Sequence, residues 1–107
     1  MNKDLNLSIE TLIQQHSIIL FMKGDKYSPK CNFSKQAIDI LDKFNIEYYT
    51  INLLNDNPLR DAIKIYSQWP TIPQLYINQK FIGGIDIINH LYKTFKLHEI
   101  LEVHINS

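Results

Sequence analysis

The 107-residue sequence has little of several residue types that define common functional classes. Its single cysteine, Cys31, cannot form an internal disulfide, and alone it cannot supply the roughly four ligands that a zinc or iron–sulfur site needs. Eleven basic and eleven acidic residues cancel, so no net positive charge recruits nucleic acid or an anionic membrane. The longest apolar run, residues 18–22, is far shorter than the ~20 residues that cross a bilayer.

Composition and the lack of internal boundaries predict one globular domain over residues 1–107. The chain is 45% hydrophobic and 21% charged, which suits a compact domain that folds without disulfide or metal crosslinks. No repeat, low-complexity tract or linker rich in glycine and serine interrupts it. The N-terminus lacks the basic start and the small-residue cleavage site of a secretory signal, so we expect an intracellular protein.

Apolar spacing in the first half alternates between helix and strand. Ser8 can cap a short helix with Ile9, Leu12 and Ile13 on one face. Ile18–Met22 is short and continuous, which predicts a central strand covered on both faces. A polar loop over Lys23–Lys30 leads to Cys31. An amphipathic helix begins there, and its apolar positions are Phe33, Ala37, Ile40, Leu41 and Phe44.

The second half continues the alternation and completes the predicted sheet. Glu47–Leu53 predicts a strand, Asn57-Pro58 opens a helix, and the prolines make residues 69–73 an extended loop. The remaining elements are a hairpin (Leu75–Ile77, a turn at Asn78-Gln79-Lys80, Phe81-Ile82), a helix after Gly83-Gly84 with Ile88, Leu91, Tyr92 and Phe95, and a last helix with Leu97, Ile100 and Leu101. This order predicts an α/β fold with a four-stranded mixed sheet flanked by helices on both faces.

Cys31 is the leading candidate for chemistry. A lone cysteine is often an inert buried residue, but this one lies at a predicted helix start, where backbone N–H groups and the helix dipole stabilise a thiolate. The neighbouring lysines are Lys23, Lys26, Lys30 and Lys35. We therefore expect a lowered thiol pKa and a partly exposed nucleophile or metal ligand.

The residues after Cys31 exclude a dithiol mechanism. A Cys-X-X-Cys motif resolves a mixed disulfide with its second thiol, but the fourth position here is Ser34. An external thiol must therefore resolve any mixed disulfide on Cys31. Ser34 by itself could equally be an ordinary first-turn serine. Pro73 is either a simple turn residue or, with a cis bond, part of a loop that presents the Ile72 main chain to an extended peptide such as a tripeptide thiol.

Five ordered motifs carry a family resemblance. They are Phe21-Met22-Lys23-Gly24, Cys31 with Phe33-Ser34, Tyr66-Ser67 to Trp69-Pro70-Thr71, Pro73-Gln74-Leu75-Tyr76, and Gly83-Gly84-Ile85-Asp86-Ile87. Over residues 8–101 the sequence resembles monothiol glutaredoxins of the Cys-Gly-Phe-Ser class, and more loosely the thioredoxin-fold superfamily. It departs from that class at Asn32, which stands where the family has glycine and adds bulk and polarity beside the sulfur.

The resemblance implies a thioredoxin-like fold, glutathione binding, and a [2Fe-2S] cluster that bridges a homodimer. Cys31 would be both the catalytic thiol and the metal ligand, with glutathione thiols completing the cluster. The glutathione-binding residues that it implies are Lys23, Arg60, Thr71, Ile72, Pro73, Gly84, Ile85 and Asp86. Lys23 and Arg60 suit the glycyl carboxylate, whereas Ile85 and Asp86 suit the γ-glutamyl end. Arg60 could instead be a solubilising surface residue, and Asp86 a helix-start acid.

Three functions follow from the resemblance. The first is transfer of iron–sulfur clusters to client apoproteins. The second is glutathione-dependent thiol–disulfide oxidoreductase activity, which we expect to be weak, and the third is regulation through a BolA-like partner. We expect neither nucleic acid nor membrane as a partner. We expect a cytoplasmic location, with bacterial cytoplasm favoured over a mitochondrial or plastid form whose targeting segment was trimmed. Trp69 and the four histidines, His16, His90, His98 and His104, are assigned packing or surface roles.

Overall fold

The elements of the chain follow the predicted alternation of helix and strand. The computed structural model describes residues 3–106, with side chains described from Asp4 to Glu102. In chain order the elements are α1 (Lys3–Gln15), β1 (Ile18–Met22), β2 (Gly24–Asp25), β3 (Ser28–Pro29), α2 (Asn32–Leu41), β4 (Tyr49–Asn52), α3 (Asn57–Ser67), β5 (Gln74–Ile77), β6 (Lys80–Gly83), α4 (Ile85–Lys93) and α5 (Lys96–Asn106).

β1 lies inside a mixed sheet whose strand order is β4-β1-β5-β6. It pairs in parallel with β4 and antiparallel with β5, and β5 pairs antiparallel with β6. All five β1 side chains are buried, because a central strand that is covered on both faces has no polar side. The prediction of a four-stranded mixed sheet is confirmed for residues 3–106.

Helices cover both faces of this sheet, as predicted. Alternate β1 residues point to opposite faces: Leu20 packs in one apolar cluster and Phe21 in the other. α2, α4 and α5 contribute to the cluster with Leu20, whereas α1 and α3 contribute to the cluster with Phe21. None of the described helices is both long enough and apolar enough to cross a membrane.

Strand direction brings four connecting segments to one edge of the sheet. β1 and β4 both end at this edge, since Met22 is paired with Asn52. β5 begins there beside Phe21, and β6 ends there with Gly83 paired to Leu75. The segments after β1, after β4, before β5 and after β6 therefore meet at one edge. These segments and the first turns of α3 and α4 contain the residues predicted to form a binding site.

The prediction that Ser8 caps the first helix is wrong. α1 begins at Lys3, so Ser8 lies within the helix, and its hydroxyl donates to the Asp4 carbonyl at 2.9 Å. A serine hydroxyl can bond the carbonyl four residues earlier as readily as it caps a helix. The apolar spacing from Ile9 onward therefore marked the buried part of the helix rather than its start.

Two helices end earlier than the apolar spacing predicts. α2 ends at Leu41, and Phe44 follows it in a turn where its ring packs edge-on against Tyr92, with the centroids 6.1 Å apart. α4 ends at Lys93, and Phe95 has a φ of 62° with a largely exposed side chain. Apolar residues just beyond a helix can continue its spacing without its hydrogen bonds. The apolar pattern therefore predicted C-terminal ends of α2 and α4 that are too late in the sequence.

Strand boundaries differ from the predictions in three places. β4 is limited to Tyr49–Asn52, shorter at both ends than the predicted Glu47–Leu53. The predicted open loop Lys23–Lys30 contains the small β2–β3 hairpin. Lys80 belongs to β6 rather than to the turn, which consists of Asn78 and Gln79 with φ values of 50° and 69°. Two residues with positive φ form the tight turn that matches strand twist.

Candidate functional site

Cys31 lies at the start of α2, as the sequence predicts. It is the N-cap residue, with extended backbone angles of φ −150° and ψ 135°. Its carbonyl accepts the first helical hydrogen bond from the Lys35 N–H at 2.9 Å. The thiol is partly exposed, so a reaction partner has access to it. A sulfur at this position faces the N–H groups of the first helical turn, which lack partners inside the helix.

The surroundings of the thiol lower the pKa of Cys31, which confirms the predicted direction. Partial burial is the largest single influence and opposes ionisation, but hydrogen bonds from the Ser34 and Phe33 N–H groups, the Ser34 hydroxyl and the charge of Lys23 together outweigh it. Two of the other neighbouring lysines have partners of their own. Lys35 pairs with Asp39 at 2.8 Å, and the Lys26 ammonium lies 4.3 Å from the Tyr48 ring centroid.

Ser34 contributes more than the ordinary first-turn serine that the sequence also allowed. Its side chain is fully buried, and its hydroxyl oxygen accepts the Lys23 N–H at 3.1 Å. The same hydroxyl lowers the pKa of the Cys31 thiol. Ser34 therefore ties the end of β1 to the thiol and cannot itself form a disulfide. Its burial was not readable from the sequence, where it looked like a polar residue at a helix start.

The β2–β3 hairpin fixes the approach to Cys31. The Asp25 carboxylate accepts the Tyr27 and Ser28 N–H groups, each at 2.8 Å, which closes the turn. Gly24 has a φ of 87°, and a Cβ there would lie 2.5 Å from the Lys30 nitrogen. Glycine is therefore required for the two hairpin strands to approach this closely. The segment between β1 and Cys31 is thus a built turn rather than an open loop.

The loop before β5 presents the Ile72 main chain. The Ile72–Pro73 peptide bond is cis, one of the two isomers that the sequence allows. The side chains of Ile72 and Pro73 are buried, whereas Thr71 is exposed. Among the hydrogen bonds within residues 3–106, none involves the Ile72 main chain. The backbone of this residue is therefore able to pair with an extended ligand at the sheet edge.

Gly84 brings the start of α4 against this loop. It is the N-cap of α4, and a Cβ at this position would lie 2.9 Å from the Trp69 indole nitrogen and 3.5 Å from the Thr71 hydroxyl. Any larger residue would push the loop and the helix start apart. Ile85 and the exposed Asp86 follow in the first turn, where unpaired N–H groups favour a carboxylate. The structure therefore brings Thr71, Pro73 and Gly84 together.

Arg60 lies in the first turn of α3 at the same sheet edge. The side chain of Asp56 caps this helix by accepting the Leu59 N–H at 3.1 Å. The Arg60 guanidinium, which is partly buried, donates to the Asn57 side-chain oxygen. Among the described residues Arg60 makes no side-chain hydrogen bond or ion pair with Cys31 or with the loop before β5, so no such bond joins it to the rest of the predicted site.

Metal ligands are sparse in the described chain. Among the side chains from Asp4 to Glu102, no group of three or more His, Cys, Asp or Glu residues is arranged to hold a metal. His16 stacks on Tyr49 with ring centroids 3.7 Å apart, and His98 lies 3.6 Å from Glu102. The surface role predicted for His104 falls outside the described side chains. Cys31 therefore offers one thiolate ligand, and any metal it binds needs ligands from other molecules.

The fold and the site together define a thioredoxin-like protein with one activated thiol. A family model described as Glutaredoxin matches residues 18–82. An uncharacterized monothiol glutaredoxin of the ycf64-like type from Synechocystis is 42% identical over 107 residues, with 100% of each chain covered. A probable monothiol glutaredoxin 2 from Rickettsia typhi is 44% identical over 101 residues, covering 94% of this chain and 90% of the relative.

A solved structure agrees with the sequence relatives. The solution structure of reduced poplar apo GrxS14 is 40% identical, has a TM-score of 0.82, and covers 96% of this chain and 94% of its own. The chain therefore belongs to the glutaredoxin family, in its monothiol class. The predicted thioredoxin-like fold and the resemblance to monothiol glutaredoxins are both confirmed.

Proposed function

We propose that this glutaredoxin binds glutathione beside Cys31 and carries a [2Fe-2S] cluster between two chains for delivery to client apoproteins. One observation carries the proposal. The chain presents a single, partly exposed thiol with a lowered pKa, and its described side chains form no cluster of three or more His, Cys, Asp or Glu residues that could hold a metal. A single thiolate can bind a cluster only together with ligands from other molecules. A cluster that is shared in this way is easily released.

The glutathione site that we propose lies along the sheet edge between Cys31 and α4. The Ile72 main chain pairs with the tripeptide backbone, while Thr71 and Pro73 shape the loop on either side. Lys23 and Arg60 supply positive charge for the glycyl carboxylate. The γ-glutamyl end meets the start of α4, where Gly84 allows close approach, the N–H of Ile85 binds its carboxylate, and Asp86 pairs with its ammonium.

The cluster is the cargo in this proposal, and the number of ligands that it needs determines how many chains assemble. A [2Fe-2S] cluster takes about four thiolate ligands, and each chain offers one. Two Cys31 thiolates and two glutathione thiols complete the set, so the homodimer forms with the cluster and separates without it. Thiolate character is what a ligand sulfur requires, and the lowered pKa of Cys31 favours it.

Delivery follows from the exchangeable ligands. Glutathione is a small, replaceable ligand, so thiols of a client apoprotein can displace it and take the cluster. We propose client apoproteins and a BolA-like protein as the partners, and the cytoplasm, where thiols stay reduced, as the location. Asn32 is exposed beside Cys31, on the side from which a second chain would approach. Its side chain therefore tunes how tightly the cluster is held.

The lowered pKa of Cys31 also favours a second candidate, glutathione-dependent reduction of mixed disulfides. The Cys31 thiolate attacks the glutathione sulfur of a protein–glutathione disulfide, which releases the protein thiolate and leaves Cys31 disulfide-bonded to glutathione. A second glutathione thiolate then attacks that disulfide, forming oxidised glutathione and restoring the Cys31 thiolate. Ser34 cannot replace the second glutathione, because its oxygen forms no disulfide.

Anaerobic reconstitution distinguishes these functions. Purified protein supplied with iron, sulfide and glutathione should develop visible absorption and shift from monomer to dimer in size-exclusion chromatography. Cys31→Ser should lose both changes, and Asn32→Gly should hold the cluster longer against a chelator. A colourless monomer that rapidly reduces a glutathione mixed disulfide would overturn the carrier proposal in favour of the oxidoreductase.

A further inference from the structure

Gln74 is a fully buried polar side chain at the first position of β5. Its amide nitrogen donates to two main-chain carbonyls of the preceding loop, those of Trp69 and Thr71, each at 3.2 Å. Its amide oxygen accepts the Tyr76 hydroxyl at 3.4 Å. A buried amide with partners at both ends restrains whatever it bonds, because breaking either bond leaves an unsatisfied polar group inside the protein.

The chemistry of these partners fixes the orientation of the amide. Two carbonyl oxygens can only accept, so they require the NH₂ group of Gln74, and its oxygen must face a donor. The Tyr76 hydroxyl is that donor. Burial raises the pKa of Tyr76, so its hydroxyl keeps its proton. Tyr76 therefore orients Gln74, and Gln74 in turn holds the two carbonyls.

Further contacts restrain the same loop from inside. The Trp69 N–H donates to the Ser67 hydroxyl at 3.1 Å, and the Trp69 ring packs near Phe81 with centroids 5.8 Å apart. The Trp69 indole nitrogen also borders Gly84 at the start of α4. The Trp69 N–H and the carbonyls of Trp69 and Thr71 are thus bonded inward, whereas no hydrogen bond within residues 3–106 involves the main chain of Ile72.

We propose that Gln74 is a positioning residue for glutathione: its buried amide holds the Trp69 and Thr71 carbonyls inward so that the Ile72 main chain faces the ligand. The identity of the ligand rests on the proposed function, but the restraint on the loop does not. Gln74 touches no ligand and acts only through the loop. The specific consequence is that losing the amide weakens ligand binding without changing the thiol.

The test compares Gln74→Met, which keeps side-chain length but removes both donors, with Ile77→Val, which trims the far end of the same strand. Glutathione affinity is measured by NMR titration and global stability by urea unfolding. Hydrogen–deuterium exchange follows the loop amide of Trp69, whose N–H is hydrogen-bonded to the Ser67 hydroxyl. Gln74→Met should bind glutathione about tenfold more weakly than Ile77→Val, with faster exchange in the loop and an unchanged Cys31 thiol pKa. Tyr76→Phe should show a smaller change in the same direction and keeps the strand intact.

Separate outcomes judge the two proposals. If the unaltered protein does not bind glutathione, the proposed function fails, and loop exchange alone then decides the role of Gln74. Exchange at Trp69 that accelerates in Gln74→Met while β1 exchange matches that of Ile77→Val supports positioning. Glutathione affinity in Gln74→Met equal to that in Ile77→Val, or loop exchange unchanged in both Gln74→Met and Tyr76→Phe, would overturn it.

Discussion

At the scale of single residues, the chemistry of this protein depends on a small set of groups that change the pKa of one thiol. Two N–H groups, one hydroxyl and one lysine stabilise the Cys31 thiolate, whereas partial burial of the thiol opposes its ionisation. Ser34 is the link among these groups, because the same hydroxyl favours the Cys31 thiolate and accepts the N–H of Lys23. A change at Ser34 therefore affects ionisation and local stability together.

Ser34→Ala should raise the thiol pKa of Cys31 and lower the free energy of unfolding by about 1 kcal/mol. The pKa rises because the thiolate loses a hydrogen-bond donor, and stability falls because the Lys23 N–H loses its acceptor in a partly buried site. Thiolate ultraviolet absorbance against pH gives the first quantity, and urea unfolding gives the second. Ser8→Ala, which removes an exposed hydroxyl on α1, is the matched control. An unchanged thiol pKa in Ser34→Ala would contradict this account.

Sequence alone could predict the reactive residue but not its buried partners. Cys31 was identifiable because a lone thiol at a predicted helix start has a known electrostatic consequence. Ser34 and Gln74 were not, since each looks like an ordinary polar residue at the start of an element. Their importance comes from complete burial against loops that are distant in sequence or irregular in shape. Local pattern carries no information about such burial.

At the scale of elements, helix starts place charged and polar groups at the site edge. α3 begins with Asp56 as N-cap, followed by Pro58 in its first turn. This cap fixes the turn that carries Arg60, whose guanidinium bonds the Asn57 side chain in the same turn. The stability of this helix start therefore determines where the only arginine of the chain lies.

Asp56→Ala should destabilise the protein by about 1 kcal/mol, because the Leu59 N–H loses its capping acceptor. Asp56→Asn keeps an accepting oxygen at the same place and should cost about 0.5 kcal/mol or less, the part that comes from charge near the helix dipole. Urea unfolding measures both variants. Equal losses for the two substitutions would show that charge, rather than the capping hydrogen bond, stabilises the start of α3.

Elements with a strong apolar period were predictable, and their ends were not. β1 and the buried faces of α2 and α3 follow directly from residue spacing. The spacing failed where apolar residues lie beyond a helix, as at Phe44 and Phe95, and where a helix begins before its apolar face, as at Ser8. The β2–β3 hairpin was missed because two-residue strands have no period to read.

At the scale of the whole molecule, the two apolar clusters on either face of the sheet support a single working edge. β1 contributes to both clusters, and all five of its side chains are buried. This buried strand ends beside Lys23. The loops at that edge extend from two central strands, β1 and β5, whose side chains are all buried. Ionisation of one thiol at this edge is consequently coupled to the stability of the entire fold.

This coupling predicts a pH-dependent stability with a definite sign. The folded-state pKa of Cys31 lies below the ordinary 9.0, so between these two values the unfolded chain binds more protons and stability rises with pH. The stabilisation is fully present above the unfolded value and is lost as pH falls through the folded value. The difference in unfolding free energy between the unaltered protein and Cys31→Ser should therefore increase with pH in this window and stay constant below it.

The measurement is urea unfolding at a series of pH values under reducing conditions, kept below pH 10. Above that point Tyr48 and Tyr76 interfere, because burial raises the pKa of both and their contribution is lost as the solution becomes more alkaline. Both tyrosines are present in Cys31→Ser, so the subtraction removes them. Ser34→Ala should show a smaller increase than the unaltered protein, since its thiolate is less stabilised. A difference that stays flat or falls with pH would mean that the folded protein does not favour the Cys31 thiolate.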